Sequence, residues 1–163
     1  MSSLQIRPAV PDDVPLILDF IRGLAEYERL PHECVATEAL LRETLFGARP
    51  YAEVLIGEAD GEAVAFALFF HNYSTFLARP GIYLEDLFVR PHARGRGHGR
   101  QMLARLARLA RERNCGRLEW SVLDWNEDAI RFYRSLGAVA MDEWTVYRVT
   151  GEALERLAGA SGD

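Results

Sequence analysis

Three glycines set among four arginines are the residues of this 163-residue chain whose types and spacing first suggest chemistry. The run Arg94-Gly95-Arg96-Gly97-His98-Gly99-Arg100 follows the strand-like stretch Leu84-Glu85-Asp86-Leu87-Phe88-Val89-Arg90-Pro91 and leads into Gln101-Met102-Leu103. A strand that delivers a glycine-rich turn onto a helix N-terminus offers an anion several backbone N–H groups and the positive end of the helix dipole. Glycine lets the backbone approach closely, and Arg94, Arg96 and Arg100 add charge-assisted bonds. Such a turn suits a pyrophosphate. A dinucleotide fingerprint would need G-x-G-x-x-G in the first βαβ unit. Here the spacing is G-x-G-x-G, in mid-chain, with too few residues after it for a doubly wound sheet. The chain contains no lysine, which excludes a phosphate loop that ends in one.

The turn needs a frame. Leu4 to Arg7 reads as a short strand, and Pro11-Asp12-Asp13 starts a helix whose apolar positions Val14, Leu16, Ile17, Phe20, Ile21 and Leu24 recur at helical spacing until about Arg29, before Pro31. Thr37 caps a second helix through Leu40, Leu41, Leu45 and Phe46, closed by Gly47 and Pro50. Residues 51–58 and 62–70 form a hairpin about Ala59-Asp60-Gly61. His71 to Gly81 is predicted as a loop and Ile82 to Val89 as the next strand. A helix over Gly97 to Arg113 then buries Met102, Leu103, Leu106, Ala107 and Ala110. Arg117 to Leu123 is a strand, Glu127 to Leu136 a helix stopped by Gly137, 138–141 and 145–149 the last strands, and Ala153 to Leu157 a helical turn.

Length and composition, 49% hydrophobic and 26% charged, are those of one globular domain. No apolar run reaches the length of a leader or a membrane span, so a cytoplasmic location is expected. Cys34 and Cys115 are too few for a disulfide framework or zinc site and read as buried thiols. Residues His32, His71, His92 and His98 show no ligand spacing, and no metal is implied. The net charge of −5 is unevenly divided: residues 90–117 hold nine arginines against Glu112, a net +8, which leaves −13 on the rest. One segment suits an anion and the remainder a cation. The basic patch lacks interleaved aromatic residues, so nucleic acid is not an expected partner.

Arg94-Gly95-Arg96-Gly97-His98-Gly99 matches the R/Q-x-x-G-x-G/A pattern of the GNAT superfamily of N-acetyltransferases. Trp125-Asn126-Glu127-Asp128-Ala129-Ile130-Arg131-Phe132-Tyr133-Arg134-Ser135-Leu136-Gly137-Ala138 resembles that superfamily's second hallmark, N-x-x-A/S-x-x-x-Y-x-x-x-G. Within it, Arg7-Pro8-Ala9, Leu24-Ala25-Glu26-Tyr27-Glu28, Tyr83 to Val89 and Trp125-Asn126-Glu127 are similar to the spermidine/spermine N-acetyltransferase family and its thialysine-preferring branch. The resemblance spans nearly the whole chain. It implies an α/β (α+β) fold, one domain over 1–163, with a mixed, mostly antiparallel, twisted sheet of about seven strands flanked by about four helices. The cofactor core would cover about 82–140, with the substrate-side helices at about 12–46. It also implies acetyl-CoA as co-substrate and a homodimer.

A primary amine is protonated at neutral pH and must lose a proton before it attacks a thioester. Glu85 and Asp86 are consecutive in a strand and are expected on opposite faces, so that only one looks into the cleft. The resemblance selects Glu85, acting through water, with Asp86 structuring the strand or holding substrate. Backbone N–H groups near Phe88 and Val89 would stabilise the oxyanion if the strand splays there, and Leu87, Phe88 and Val89 join Arg94 to Arg100, Asn126 and Ala129 as cofactor contacts. The Tyr133 hydroxyl would protonate the departing thiolate. Tyr27, Glu28, Glu119, Trp120 and Ser121 match positions that contact the amine substrate. The polyamine enzymes carry an acid and a tryptophan where this chain has Asn72-Tyr73-Ser74-Thr75-Phe76, which favours a shorter, lysine-like amine over spermine. Protein or peptide amines, and a non-catalytic acyl-CoA sensor, are the alternative readings.

Overall fold

The apolar spacing from Val14 to Leu24 forms helix α1 (Val14–Tyr27), and its stripe is enclosed, with Val14, Ile17 and Phe20 fully buried. A second helix, α2 (Glu38–Phe46), is capped by Thr37, whose hydroxyl accepts the Leu40 N–H at 3.2 Å. The structure, a computed structural model, describes residues 3–160; Met1 and Ser2, which head the stretch read for a leader, lie outside the described residues. The chain divides after Leu123 into two compact units.

The first unit is built on one sheet in the order β1 (Gln5–Pro8), β2 (Glu53–Ala59), β3 (Glu62–Ser74), β4 (Arg79–Val89), β5 (Leu118–Trp120). The first three pairings are antiparallel and β4–β5 is parallel, joined by the crossover helix α3 (His98–Glu112). Helices α1 and α2 cover one face, where Phe20 stacks on Phe66 at 5.1 Å and meets Phe88 edge-on at 6.5 Å. The other face belongs to α3. Its Met102 and Leu106 are fully buried, and Arg113 at its end lies 5.9 Å from the Phe69 ring. The β2–β3 turn has both Asp60 (φ 53°) and Gly61 (φ 78°) in the left-handed region, the two-residue geometry that matches strand twist.

Three expectations are corrected in this unit. The loop predicted for 71–81 is instead ladder: β3 runs to Ser74, β4 starts at Arg79, Asn72 pairs with Gly81 and Tyr73 with Pro80. Asn72, Ser74 and Pro80 are poor strand formers, and long-range pairing overrides that local preference. In α3, Ala107 faces solvent, and Cys34 and Cys115 are free, half-buried thiols, not buried ones.

The second unit holds α4 (Glu127–Ser135) and α5 (Gly151–Ala158). The sheet therefore has five strands among the described residues where about seven were expected, and five α-helices stand where about four were. Residues 138–141 and 145–149 form no strand. Their alternating apolar pattern specifies which sides would face a core, but a strand also needs a ladder neighbour, and among the described residues they have none. No helix among the described residues is long and apolar enough to cross a membrane.

Candidate active site

Gly97 is the N-cap of α3, and no side chain caps that end. Both Gly95 (φ 79°) and Gly97 (φ 82°) are left-handed, and a Cβ built on either meets no atom within 4 Å. The bend thus exists because glycine permits it, and the space beside it is open. An uncapped helix start presents its first N–H groups and the positive end of its dipole outward, so these residues fit a pyrophosphate group. Arg96 and Arg100 are exposed beside it.

Arg94 is held differently from its neighbours. Its Nε donates to the Val89 carbonyl oxygen at 2.9 Å, while its guanidinium lies 4.6 Å from the Tyr27 ring centroid and 5.3 Å from that of Phe88. The structure thus brings together Arg94 and Tyr27, two residues expected on the cofactor and substrate sides respectively. His98 is 3% exposed, and neither ring nitrogen has a hydrogen-bond partner among the described residues. Its backbone N–H, not its buried ring, is the part disposed toward the helix end.

Strand β4 carries the acids. Asp86 pairs with Leu68 and Leu84 with Phe69, which leaves Glu85 as an extra residue in β4, a β-bulge. The bulge corrects the expectation that Glu85 and Asp86 point to opposite faces, since alternation fails where the ladder gains a residue. Phe88 and Asp86 take the α1 side, with Phe66 and Leu68 as their register partners. Glu28, the C-cap of α1, is near enough for Glu85 to disfavour its ionisation. Burial, then the charges of Glu85 and Glu28, push the Asp86 carboxyl up to about 7. Burial and then Glu85 raise that of Glu28 as well. Three neighbouring carboxyl groups, two of them held above their ordinary values by burial and by the acids beside them, are a ready receptor for an ammonium group.

Beyond Leu84 the β4–β5 ladder ends, since β5 pairs only with Ile82 to Leu84. Beyond the bulge, the backbone groups of Leu87 and Val89 lie on that side of β4 and are therefore not engaged by β5, whereas those of Phe88 turn toward β3 in step with Arg90, whose N–H donates to the Val64 carbonyl. On the α1 side, upstream of the bulge, the face continues through Asn72, Gly81, Tyr83, Glu119 and Ser121. Tyr83 and Ser121 share a hydroxyl–hydroxyl bond of 2.7 Å, and Asn72 Nδ2 donates to Glu119 Oε1 at 3.0 Å. Trp120 is in register with Leu84 and shares its face, the α3 side, so the structure separates it from Glu119 and Ser121. Asn72 and Tyr83 were not singled out as site residues from the sequence. Asn72 is placed by its pairing with Gly81, where an added Cβ would come within 2.5 Å of Asn72 Oδ1.

In the second unit, Asn126 is the N-cap of α4, its Oδ1 accepting the Ala129 N–H at 3.3 Å. The half-buried Tyr133 has its ring 5.6 Å from that of Phe132, and its carbonyl accepts the Leu136 and Ala138 N–H groups as the helix closes on Gly137 (φ 91°). No group of three or more His, Cys, Asp or Glu among the described residues could hold a metal ion.

Residues 21–138 match the acetyltransferase (GNAT) family. The chain is 39% identical over 170 residues to thialysine N-epsilon-acetyltransferase of Bos taurus, covering 98% of this chain and 99% of the relative. It is 35% identical over 198 residues to L-ornithine N5-acetyltransferase of Arabidopsis thaliana, covering 94% and 87%. Among solved structures, an integron cassette protein from the mobile metagenome of V. cholerae superposes with a TM-score of 0.81 at 28% identity, over 97% of this chain and 99% of that one.

Proposed function

The chain belongs to the acetyltransferase (GNAT) family, and we propose that it acetylates the primary amine of a small cationic substrate, a lysine-like amino acid such as thialysine or ornithine, or a diamine. The observation that carries this reading is the carboxyl cluster in which Glu85 and Asp86, set by the bulge on one side of β4, meet Glu28 at the end of α1. Acetyl-CoA, the acyl donor of the family, supplies the thioester whose acetyl group is transferred.

In this reading the open turn at Gly95 and Gly97 receives the pyrophosphate through the first N–H groups of α3, with Arg96 and Arg100 adding charge. Asn126 and Ala129, on the second hallmark, are further cofactor contacts. Asp86, Glu28 and the Tyr27 ring hold the ammonium group. Glu85 removes its proton through a water, which frees the nitrogen lone pair for attack. Backbone N–H groups near Phe88 and Val89, where β5 has parted from β4, stabilise the oxyanion. The Tyr133 hydroxyl holds the proton that the departing thiolate takes. The resemblance to the spermidine/spermine N-acetyltransferase family supports a homodimer, and a cytoplasmic location belongs to the same proposal.

A thiol-release assay across lysine, thialysine, ornithine, diamines, polyamines and basic peptides tests the reading. Release with small amines above that with peptides is the expected result. No release with any amine would leave only an acyl-CoA sensor.

A further inference from the structure

Arg117 and Glu119 flank Leu118 in β5, so their side chains share a face of the strand. That face is the open one. Gly81, paired opposite Asn72, has its missing Cβ position 3.5 Å from Arg117 Cγ, which puts the arginine stem beside the Asn72 amide. Asn72 holds Glu119 by Oε1, and Arg117 Nε approaches the same oxygen at 3.6 Å, beyond hydrogen-bond reach. Among the described residues, Glu119 Oε2 accepts no hydrogen bond and the terminal nitrogens of Arg117 donate none. Both side chains are partly solvent-exposed, at 47% for Arg117 and 35% for Glu119. A cation and an anion are thus steadied side by side with their outer atoms unspent.

We propose that Arg117 and Glu119 form a subsite for the α-carboxylate and α-ammonium groups of an amino-acid substrate whose side-chain amine lies at the Glu28–Glu85–Asp86 cluster. This deepens the functional reading above and rests on it. A zwitterionic head carries one negative and one positive group on a single carbon, the complement of this pair, and a guanidinium fork suits a carboxylate. A diamine or polyamine offers Arg117 only another cation. The spacing agrees with the assignment. Glu119 is in register with Tyr83, and Asp86 lies two rungs further along the ladder because Glu85 is bulged, about 7 Å at a strand rise of ~3.3 Å per residue, or about 8 Å once the ~4.8 Å step between neighbouring strands is included. Three or four methylenes span about 5–6 Å with bonds of ~1.5 Å, which fits between two such positions with a hydrogen bond to a side chain at each end. Between the two ends lies the Tyr83 ring, 5.4 Å from Phe70 and tethered to Ser121, a floor for the methylene chain.

The test compares each amino acid with its decarboxylated partner, lysine with cadaverine and ornithine with putrescine, in the wild-type enzyme, Arg117→Gln and Arg117→Ala. The wild type is expected to favour the amino acids in kcat/KM. Each variant is expected to lose about 10- to 100-fold on the amino acids, the range for one hydrogen bond to a charged group, through KM and not kcat, with the diamines unchanged or improved. Lysine methyl ester, used with the wild type, removes the same charge from the substrate and is expected to lose a similar factor whether or not the variants fold. Equal losses on amino acids and diamines, or an ester as good as lysine, would overturn the subsite while leaving acetyl transfer intact. Failure of every amine with the wild type would overturn both.

Discussion

The carboxyl groups of Glu85 and Asp86 stand on one side of β4 although the residues are consecutive, because Glu85 is the bulged residue between the Leu84–Phe69 and Asp86–Leu68 pairs. Burial and the two neighbouring acids raise Asp86 to about 7, well above the ordinary carboxyl value near 3.9. Between those values the folded protein keeps a proton that the unfolded chain has lost, so this group's contribution to stability falls as pH rises from about 4 to about 7. Asp86→Asn cannot titrate. Its stability relative to the wild type is expected to climb over that interval and level off above it, as urea midpoints between pH 5 and 8 would show. In kcat/KM for an amine, the wild type should show an inflection near pH 7 that Asp86→Asn lacks, and a persistent inflection would assign it elsewhere.

Tyr133→Phe removes one hydroxyl and keeps the ring beside Phe132. Turnover should drop by roughly 10²- to 10⁴-fold, the range for lost acid catalysis, with coenzyme A affinity little changed. Full turnover in this variant would remove Tyr133 from the mechanism.

Gly97→Ala places a Cβ in open space but at φ 82°, where an L-residue is strained by about 1–2 kcal/mol. If the strain is relieved by moving the turn, coenzyme A affinity falls. Calorimetric titration with coenzyme A, beside a thermal melt, separates lost affinity from lost stability. A variant with wild-type affinity and wild-type melting temperature would show that the bend does not require glycine.

His98 buries two ring nitrogens that find no partner among the described residues. Each such atom costs about 1–3 kcal/mol. His98→Leu, close in size, is expected to raise the unfolding free energy by about 1 kcal/mol and to leave coenzyme A binding in place, since the backbone N–H remains. A destabilised variant would mean that the imidazole is satisfied in solution, for instance by water.

Elements with strong local signals were legible in the sequence. Phe20 and Val14 announced the buried stripe of α1, Thr37 its neighbour's cap, and Asp60-Gly61 the hairpin turn, because each is decided within a few residues. The glycine turn was legible for the same reason. Long-range pairing was not. Nothing near Asn72 announces a ladder to Gly81, and nothing near Glu85 announces a bulge, because both depend on how β3 aligns with β4. Residues 138–149 failed in the opposite sense, carrying a strand's pattern without a strand's partner. The Arg117–Glu119 pair was likewise hidden, because the meaning of those charges depends on Asn72, 47 residues away from Glu119.

The bulge at Glu85 also gives β4 two phases. Before it, odd-numbered residues such as Gly81 and Tyr83 face the side that α1 occupies; after it, the even-numbered Asp86 and Phe88 do. Deleting Glu85 alone would make Leu84 and Asp86 successive rungs, still opposite Phe69 and Leu68, and would join the two phases with neither half turned over. A deletion anywhere else in β4, at Leu87 for instance, would force one side of it to turn, and Phe88 would leave its packing against Phe20. Away from position 85, a length change within β4 is thus a frameshift written in three dimensions.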